Sequence, residues 1–339
     1  SVSGQINGET PAFTGLLSRA PGETAGLYAI GLGTLILVDN GSFQQSNYQL
    51  DVPTGVNFEI TKATLSVTFA DLNKTYGDAD FALSSTSSNT SAITYTSSDP
   101  SVALITGSTV AIVGAGTATL TMSQVADANY LSATATATLT VAKATPSVTF
   151  SDVTKTYGNA DFALSSTSSN TSAITYTSSD PSVATITGST VTITGAGTTT
   201  ITMTQVADAN YLSATATATL TVTKAAPAVT FADVTKTYGD ADFALSATSS
   251  NTSAVTYTSS DPSVANVSGN TVTITGAGTT TLTMSQVADA NYLSATSTAT
   301  LTVAKATPAI TFSDVTKTYG DADFALSATS SNTSAFTYT

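Results

Sequence analysis

The sequence predicts an all-β protein made of tandem Greek-key β-sandwiches that follow one another in an elongated rod. Three observations support this fold class: a repeat of 81 residues, segments in which apolar residues alternate with Thr or Ser, and the lack of a convincing helical period. An interval of 81 residues is too long for one coil of a solenoid and suits a small independent domain. We therefore expect one β domain copied along the chain.

Two markers locate the copies. Each marker recurs every 81 residues, the first as the tyrosine of a Lys-Thr-Tyr-Gly motif and the second as a lysine between units: Tyr76, Tyr157, Tyr238 and Tyr319, and Lys62, Lys143, Lys224 and Lys305. The spacing predicts five domains: a different β domain at 1–62, complete repeats at 63–143, 144–224 and 225–305, and a truncated fourth repeat at 306–339. The second and third repeats differ at only 14 positions, so they should build the same core.

Within one repeat the pattern is that of half-buried strands. Residues 190–194, 198–203 and 214–222 alternate small polar with apolar side chains, with Leu220 and Val222 on one face. Threonine is β-branched and suits the wet side of such strands. Gly-Ala-Gly and Asp-Pro-Ser triplets supply turns, and about seven short strands per repeat are expected.

The junctions between repeats are short. Pro146, Pro227 and Pro308 stiffen them, and no Gly/Ser spacer separates the last strand of one repeat from the first strand of the next. The repeats should therefore form a semi-rigid rod.

Composition excludes most chemistries. The chain of 339 residues has no His, Cys or Trp, and 9 Lys+Arg against 22 Asp+Glu give a formal net charge of −13. Imidazole and thiolate catalysis, zinc fingers and haem ligation are excluded, and nucleic-acid binding is disfavoured because few cations are available. No apolar run is long enough to insert into a membrane.

Carboxylate pairs are the one catalytic chemistry that the composition leaves open. They recur in every repeat, which suits a spacer better than an active site, so we expect no enzyme and no organic cofactor.

The Tyr-Gly-Asp-Ala-Asp-Phe motif carries the one candidate metal site. Paired oxygen ligands two residues apart near a domain edge could bind calcium. Against this, the repeats contain no Glu, and an Asp-rich turn is the simpler interpretation. The candidate calcium ligands are Asp78, Asp80, Asn159, Asp161, Asp240, Asp242, Asp321 and Asp323.

Two further motifs have competing interpretations. The Asp-Ala-Asn-Tyr loop at 127–130, 208–211 and 289–292 is either a ligand-facing loop or, as we favour, a turn whose tyrosine plugs the end of its own sandwich. Lys74 and Lys143 with Asn89 or Asn129 raise the possibility of a Lys–Asn isopeptide bond. Such a bond needs a buried lysine, whereas these lysines stand beside turn and linker residues.

The motifs also resemble known families. Residues 176–184, followed by Gly188, Val191, Ile193 and 195–198, resemble the bacterial Ig-like (Big) domain, with Tyr176 where that family often has Trp. The tail from Ala209-Asn210-Tyr211 to Ala225 is similar to repeats of giant surface adhesins, especially of Bacteroidota. Residues 1–62 resemble the second part of an MBG-type β domain, through 26–30, 47–48 and 58–62.

This resemblance implies a structural stalk segment of a large bacterial cell-surface adhesin, which projects a distal adhesive region for attachment or gliding. It implies an extracellular location, including adhesins exported by type IX secretion, and anchoring or secretion partners that act through regions outside this chain, with glycans or solid surfaces as adhesive targets. The alternative is that the Ig-like modules themselves bind glycan or a partner protein.

Overall fold

The computed structural model describes residues 8–339. The chain divides into two compact units: residues up to 147 together with 169–172 and 206–214, and residues 148–168, 173–205 and 215–339. In the described residues the regular structure is β throughout, apart from one 3-10 turn at Gln45–Asn47. The predicted all-β class is confirmed.

The N-terminal domain contains short antiparallel strands around one buried aromatic residue. Its strands are β1 Ala12–Thr14, β2 Ser18–Arg19, β3 Gly26–Gly31, β4 Ile36–Val38 and β5 Asn57–Ile60. They form a three-stranded sheet of order β2-β3-β5 and a pair β1-β4. Phe43 is buried and stacks on Tyr48 with ring centroids 4.9 Å apart.

The first repeat is built from nine strands between residues 63 and 143. They are β6 Val67–Thr68, β7 Leu72–Thr75, β8 Phe81–Ala82, β9 Thr86–Ser87, β10 Ile93–Ser97, β11 Ala103–Thr106, β12 Thr109–Ile112, β13 Gly116–Gln124 and β14 Ala133–Ala142. About seven were expected. The difference arises because β6, β8 and β9 have two residues each, which is too short to show an alternation in sequence.

These strands form the sheets of an Ig-like sandwich. The larger sheet has the order β10-β13-β14-β7, in which β14 pairs parallel with β7 and the other pairs are antiparallel. The smaller sheet is β11-β12-β8, and β6 pairs with β9. Non-consecutive neighbours such as β10 and β13 require crossovers between the sheets, as in a Greek key.

The second and third repeats copy this arrangement. The second contains β15 Val148–Phe150, β16 Val153–Thr156, β17 Phe162–Ala163, β18 Ser166–Ser168, β19 Ile174–Ser178, β20 Ala184–Thr187, β21 Thr190–Ile193, β22 Gly197–Gln205 and β23 Ala214–Thr223. The third contains β24 Val229–Thr230, β25 Val234–Thr237, β26 Phe243–Ala244, β27 Thr248–Ser249, β28 Val255–Ser259, β29 Ala265–Ser268, β30 Thr271–Ile274, β31 Gly278–Gln286 and β32 Ala295–Ala304. In residues 306–339 β33 Ile310–Phe312 pairs with β34 Ala328–Ser330.

The core of each sandwich follows from the period-two alternation. In β23 Leu220 is fully buried and Val222 nearly so, as the alternation predicts. Thr221 between them is half-buried, and Thr219 and Thr223 on either side are exposed. Burying one such leucine stabilises the fold by about 1.5–3 kcal/mol. Tyr176, at the position where the resembled family often has Trp, packs on this core and lies 5.6 Å from the Phe150 ring.

A glutamine that was not predicted from the sequence is buried at the end of each central strand. Gln286 is 4% exposed, and its Nε2 donates hydrogen bonds to the carbonyls of Asn251 (2.9 Å) and Ser253 (2.6 Å). Its Oε1 accepts a bond from Ser249 Oγ at 2.6 Å. Since every polar group of this side chain is used, the glutamine ties the Ser-Asn-Thr-Ser loop to the larger sheet.

Candidate functional site

The Asp-Ala-Asn-Tyr loop begins with an aspartate that closes a tight turn. In the third repeat Asp289 Oδ1 accepts the backbone N–H groups of Asn291 (2.7 Å) and Tyr292 (2.6 Å). The carboxylate thereby satisfies two donors that the turn leaves free, and it points the next two side chains away from the turn.

The same bonds lower the pKa of the aspartate in the first repeat. Asp127 Oδ1 accepts the N–H groups of Asn129 and Tyr130, each at 2.8 Å. Hydrogen bonds from Asn129 first and then Tyr130 hold the pKa of Asp127 below its ordinary value, because they stabilise the ionised carboxylate. The turn is therefore formed by an ionised aspartate at neutral pH.

The asparagine of each loop binds the backbone of the preceding domain. Asn210 Oδ1 accepts the N–H of Ala115 at 2.9 Å, and Asn291 Oδ1 accepts the N–H of Ala196 at 2.8 Å. The first loop makes the corresponding bond to the N-terminal domain, where Ala25 N–H donates to Asn129 Oδ1 at 2.9 Å. One side chain thus makes the same junction contact three times.

The receiving turn is the Gly-Ala-Gly triplet, which sequence analysis had predicted as a turn only. At Gly195 an added Cβ would lie 2.5 Å from the carbonyl oxygen of Ser182 and 3.4 Å from Asn291 Oδ1. A side chain there would collide with the Ser182 backbone and crowd the incoming asparagine. Glycine is needed at this position because the Ser182 carbonyl lies too close for any side chain, and it leaves the following Ala196 N–H accessible.

A tyrosine pair forms the apolar part of each junction between repeats. Tyr211 of the second repeat meets Tyr76 of the first with ring centroids 5.4 Å apart at 82°, and Tyr292 meets Tyr157 with 5.4 Å and 84°. This edge-to-face geometry places the positive edge of one ring on the negative face of the other. The Tyr of the Lys-Thr-Tyr-Gly motif is therefore one half of the junction.

The linker completes the junction through its backbone and its lysine. Ala225 and Tyr292 form a parallel bridge, in which Ala225 N–H donates to the Asn291 carbonyl (2.9 Å) and Leu293 N–H donates to the Ala225 carbonyl (2.8 Å). Lys224 Nζ donates to the Asp289 carbonyl. The other two linkers repeat these contacts, with Ala63 and Ala144 in the bridges and Lys62 and Lys143 on the carbonyls of Asp127 and Asp208.

These contacts correct the favoured interpretation of the loop. The turn is present as predicted, but Tyr211 and Tyr292 do not plug their own sandwiches, because their rings pack on tyrosines of the preceding repeat. A loop in these contacts offers its asparagine and tyrosine to the neighbouring repeat rather than to a ligand. The sequence shows the Asp-Ala-Asn-Tyr loop, the Gly-Ala-Gly turn and the Lys-Thr-Tyr-Gly motif as repeated turns or markers, but it does not show that the three meet at one junction.

The candidate calcium residues occupy turns at the edges of the repeats. The first member of each pair caps its turn: Asp78, Asn159, Asp240 and Asp321 accept the backbone N–H of Thr75, Thr156, Thr237 and Thr318 at 2.8–2.9 Å. Of the second members, Asp161 and Asp242 each accept a hydroxyl hydrogen bond at 2.9 Å, from Thr192 and Thr273. Among residues 8–339 no three His, Cys, Asp or Glu side chains converge on one point. Calcium binding by these residues, with Asp80 and Asp323, stays a prediction.

The lysines considered for an isopeptide bond have other partners. Lys74 Nζ lies 4.7 Å from the Phe81 ring centroid, a cation–π contact that Lys155, Lys236 and Lys317 repeat on Phe162, Phe243 and Phe324. Lys143 donates to the Asp208 carbonyl. Neither amine is directed to Asn89 or Asn129.

The fold and its junctions define a class: a tandem Ig-like β-sandwich chain. No protein-family model matches the sequence, and no curated protein matches it. Within residues 8–339, no helix has the length and apolar character that crossing a membrane requires.

Several solved structures are similar at a low level. The Drosophila N-cadherin EC1-3 fragment is 13% identical, covering 70% of this chain and 100% of that one, with a TM-score of 0.27. An I-band fragment of titin is 14% identical, covering 70% and 98%, with a TM-score of 0.27. A SusE-like surface-located polysaccharide-binding protein of Bacteroides thetaiotaomicron is 12% identical, covering 88% and 55%, with a TM-score of 0.20. The fold assignment rests on the strand order of this chain itself.

Proposed function

We propose that this chain is a structural spacer segment of a large repetitive bacterial cell-surface adhesin, and that it is not an enzyme. One observation carries the proposal: the Asp-Ala-Asn-Tyr loops of three successive repeats bind the preceding domain through an asparagine side chain and a linker bridge. A loop that is used to join domains favours a mechanical role for the repeats over recognition of a ligand.

The distribution of charge supports the same role. Residues 63–143 and 225–305 each contain five Asp and two Lys, a net charge of −3, and residues 144–224 contain four Asp and two Lys, a net charge of −2. The charge is therefore spread along the copies instead of being concentrated at one site. Evenly spread charge of one sign keeps neighbouring copies soluble and apart, which matters for near-identical domains in one chain.

The finer parts of the proposal rest on the resemblance to Big and MBG-type domains. They are an extracellular position on the bacterial surface, a distal adhesive region used for attachment or gliding, export by type IX secretion, and anchoring partners that act through other regions. Glycans or solid surfaces are the targets proposed for that distal region.

Two measurements on the full chain test the proposal. Single-molecule force spectroscopy should give three equal unfolding events, each lengthening the chain by up to roughly 290 Å, the extended length of an 81-residue repeat. A glycan array probed with the same protein should show no specific binding. Reproducible binding to one glycan, removed by a substitution within a repeat, would instead make the modules adhesive and overturn the spacer role.

A further inference from the structure

The third repeat presents the same junction groups as the first two, and these groups line an open cavity of about 590 Å³. Tyr238, Ala277 and Lys305 stand 81 residues after Tyr157, Ala196 and Lys224. All three line the cavity, together with Gly276 and Ala306. The cavity lies entirely within the second compact unit.

Exposure distinguishes this surface from the two closed junctions. Tyr238 is 51% exposed, whereas Tyr76 and Tyr157 are less exposed because each lies against its tyrosine partner. Among residues 8–339, no side chain accepts a hydrogen bond from the Ala277 N–H. The positions of Gly114 and Gly195 each have an asparagine oxygen 3.4 Å from an added Cβ, and the matching position of Gly276 meets only the Ser263 backbone.

We propose that this surface is a docking site for the Asp-Ala-Asn-Tyr loop of a complete Ig-like repeat joined through the linker that begins at Lys305. The site supplies one amide donor at Ala277, one aromatic ring at Tyr238 and one cation at Lys305. It is complementary to a loop that brings a side-chain amide oxygen, a second aromatic ring and a backbone carbonyl, and the backbone of Ala306 is placed to form the parallel bridge.

A side chain of the fourth repeat is already in position to support such a loop. Asn170 and Asn251 each donate through Nδ2 to a carbonyl just before the loop of their own repeat, on Val206 and Val287, both at 3.0 Å. Asn332 stands 81 residues after Asn251 and lines the cavity. The asparagine that holds the loop in the second and third repeats is therefore also present in the fourth repeat, beside the proposed docking site.

This occupant is favoured over a second copy of the chain. The three loops of this sequence, at 127–130, 208–211 and 289–292, are each held by a domain of the same chain. A second copy would have to release one of these junctions before it could dock, whereas a directly following repeat would not. Joining through a short linker also raises the effective concentration of the loop at the site.

The test compares two chains by hydrogen exchange of single amides. The first is the present chain, and the second is the same chain lengthened after Thr339 by a copy of residues 259–305, which completes the fourth repeat. In the present chain the Ala277 amide should exchange fast relative to those of Ala115 and Ala196, which are hydrogen-bonded. Completing the repeat should slow the Ala277 amide on the order of tenfold, toward the rate of Ala196.

The matched control replaces the appended copy of Asn291 by Ala. This variant keeps the same repeat but lacks the acceptor, so Ala277 should remain fast while the strand amides of the fourth repeat become protected. A folded fourth repeat with a fast Ala277 amide, or equal protection by the alanine variant, would overturn the proposal.

A second measurement covers the case in which the appended copy does not fold. A peptide with the sequence of residues 206–212 is titrated onto the unmodified chain, with an Asn→Ala peptide as the control. Resonances of Ala277 and Tyr238 should move only with the asparagine peptide. No movement, equal movement with both peptides, or movement with oligosaccharides alone would refute loop docking, and the last result would assign the surface to a glycan.

Discussion

Asn210 places its side-chain oxygen 2.9 Å from the backbone nitrogen of Ala115, a residue that precedes it by 95 positions and belongs to the previous repeat. The bond needs the Gly-Ala-Gly turn on one side and the aspartate-closed turn on the other, so two loops of different repeats must fold before it forms. Asn291 and Ala196 repeat the contact at 2.8 Å. The recurrence makes this bond the natural place to begin testing the junctions.

Replacing Asn291 by Ala should weaken the junction between the second and third repeats. The Ala196 N–H then loses its acceptor, at a cost of about 1 kcal/mol, because a partly buried donor is left unpaired. The amide of Ala196 should exchange about fivefold faster, as measured by NMR hydrogen exchange. The amide of Ala115, which binds Asn210, should be unaffected and provides the internal reference.

Asn291→Asp separates loss of the acceptor from general disturbance of the loop. A carboxylate oxygen can still accept the Ala196 N–H, so exchange at this amide should stay close to that of the unmodified chain. If Asp and Ala variants accelerate exchange equally, the hydrogen bond is not what protects Ala196.

Two tyrosines at equivalent positions predict different costs of truncation. Tyr157 contacts Tyr292 edge-to-face, whereas Tyr238 is half-exposed and its ring is in none of the close aromatic pairs of residues 8–339. Their backbones are matched, since each N–H donates at 2.9 Å to the end of the last strand of its repeat. Tyr157→Ala should therefore lower the free energy of unfolding by about 0.5–1.5 kcal/mol more than Tyr238→Ala does.

Urea denaturation of both variants measures this difference. Equal losses of stability at the two positions would show that the tyrosine pair adds nothing to the burial of one ring in its own repeat.

The strands could be predicted from sequence because their signal is local. The alternation in residues 214–222 states which side chains point inward, and Leu220 and Val222 are buried as expected. The two-residue strands could not be predicted, since Phe81–Ala82 is defined by its pairing with Thr109 and Val110 and by no pattern of its own.

The junctions were not predictable from the same kind of signal. Asn210 and Ala115 are joined only after two separate domains fold, so no spacing within one repeat reveals the contact. The buried glutamines were missed for a related reason: a polar residue at an inward position looks like the end of a strand unless its partners on the Ser-Asn-Thr-Ser loop are known. The signal that was available is that Gln124, Gln205 and Gln286 continue the inward-facing register of each central strand.

Replacing Gln286 by Leu should destabilise the third repeat by about 2–3 kcal/mol. Leucine fills a similar volume but leaves the carbonyls of Asn251 and Ser253 without their donor, and unpaired buried polar groups are costly. Ser249→Ala removes the bond to Gln286 Oε1 and the bond that Ser249 Oγ accepts from the Asn251 N–H at 3.1 Å. It should cost less, because the glutamine variant loses three hydrogen bonds and this one loses two. Thermal unfolding that ranks the serine variant as the more harmful would contradict the central role given to the glutamine.

The Asp-Pro-Ser turns should make the stability of the repeats decrease in acid. The side-chain hydroxyl of Ser182, followed by its backbone N–H, holds the pKa of Asp180 below its ordinary value of 3.8, through bonds of 2.6 and 2.9 Å. A carboxyl whose pKa is lower in the folded state stabilises the fold fully above about pH 3.8 and loses that contribution as the pH falls through the lowered value. The free energy of unfolding should therefore decrease as the pH falls below about 3.8.

Ser182→Ala removes the larger of the two causes, so the titration midpoint of Asp180 should rise toward its ordinary value while the backbone bond remains. Asp261 is the matched control, since Ser263 lowers its pKa through bonds of the same lengths in the third repeat. An NMR titration of the carboxyl carbons follows both residues in one sample. If Asp180 titrates like Asp261 in this variant, the hydroxyl bond does not set the pKa, and the acid sensitivity must come from other carboxyls such as Asp127, whose pKa two backbone N–H groups lower.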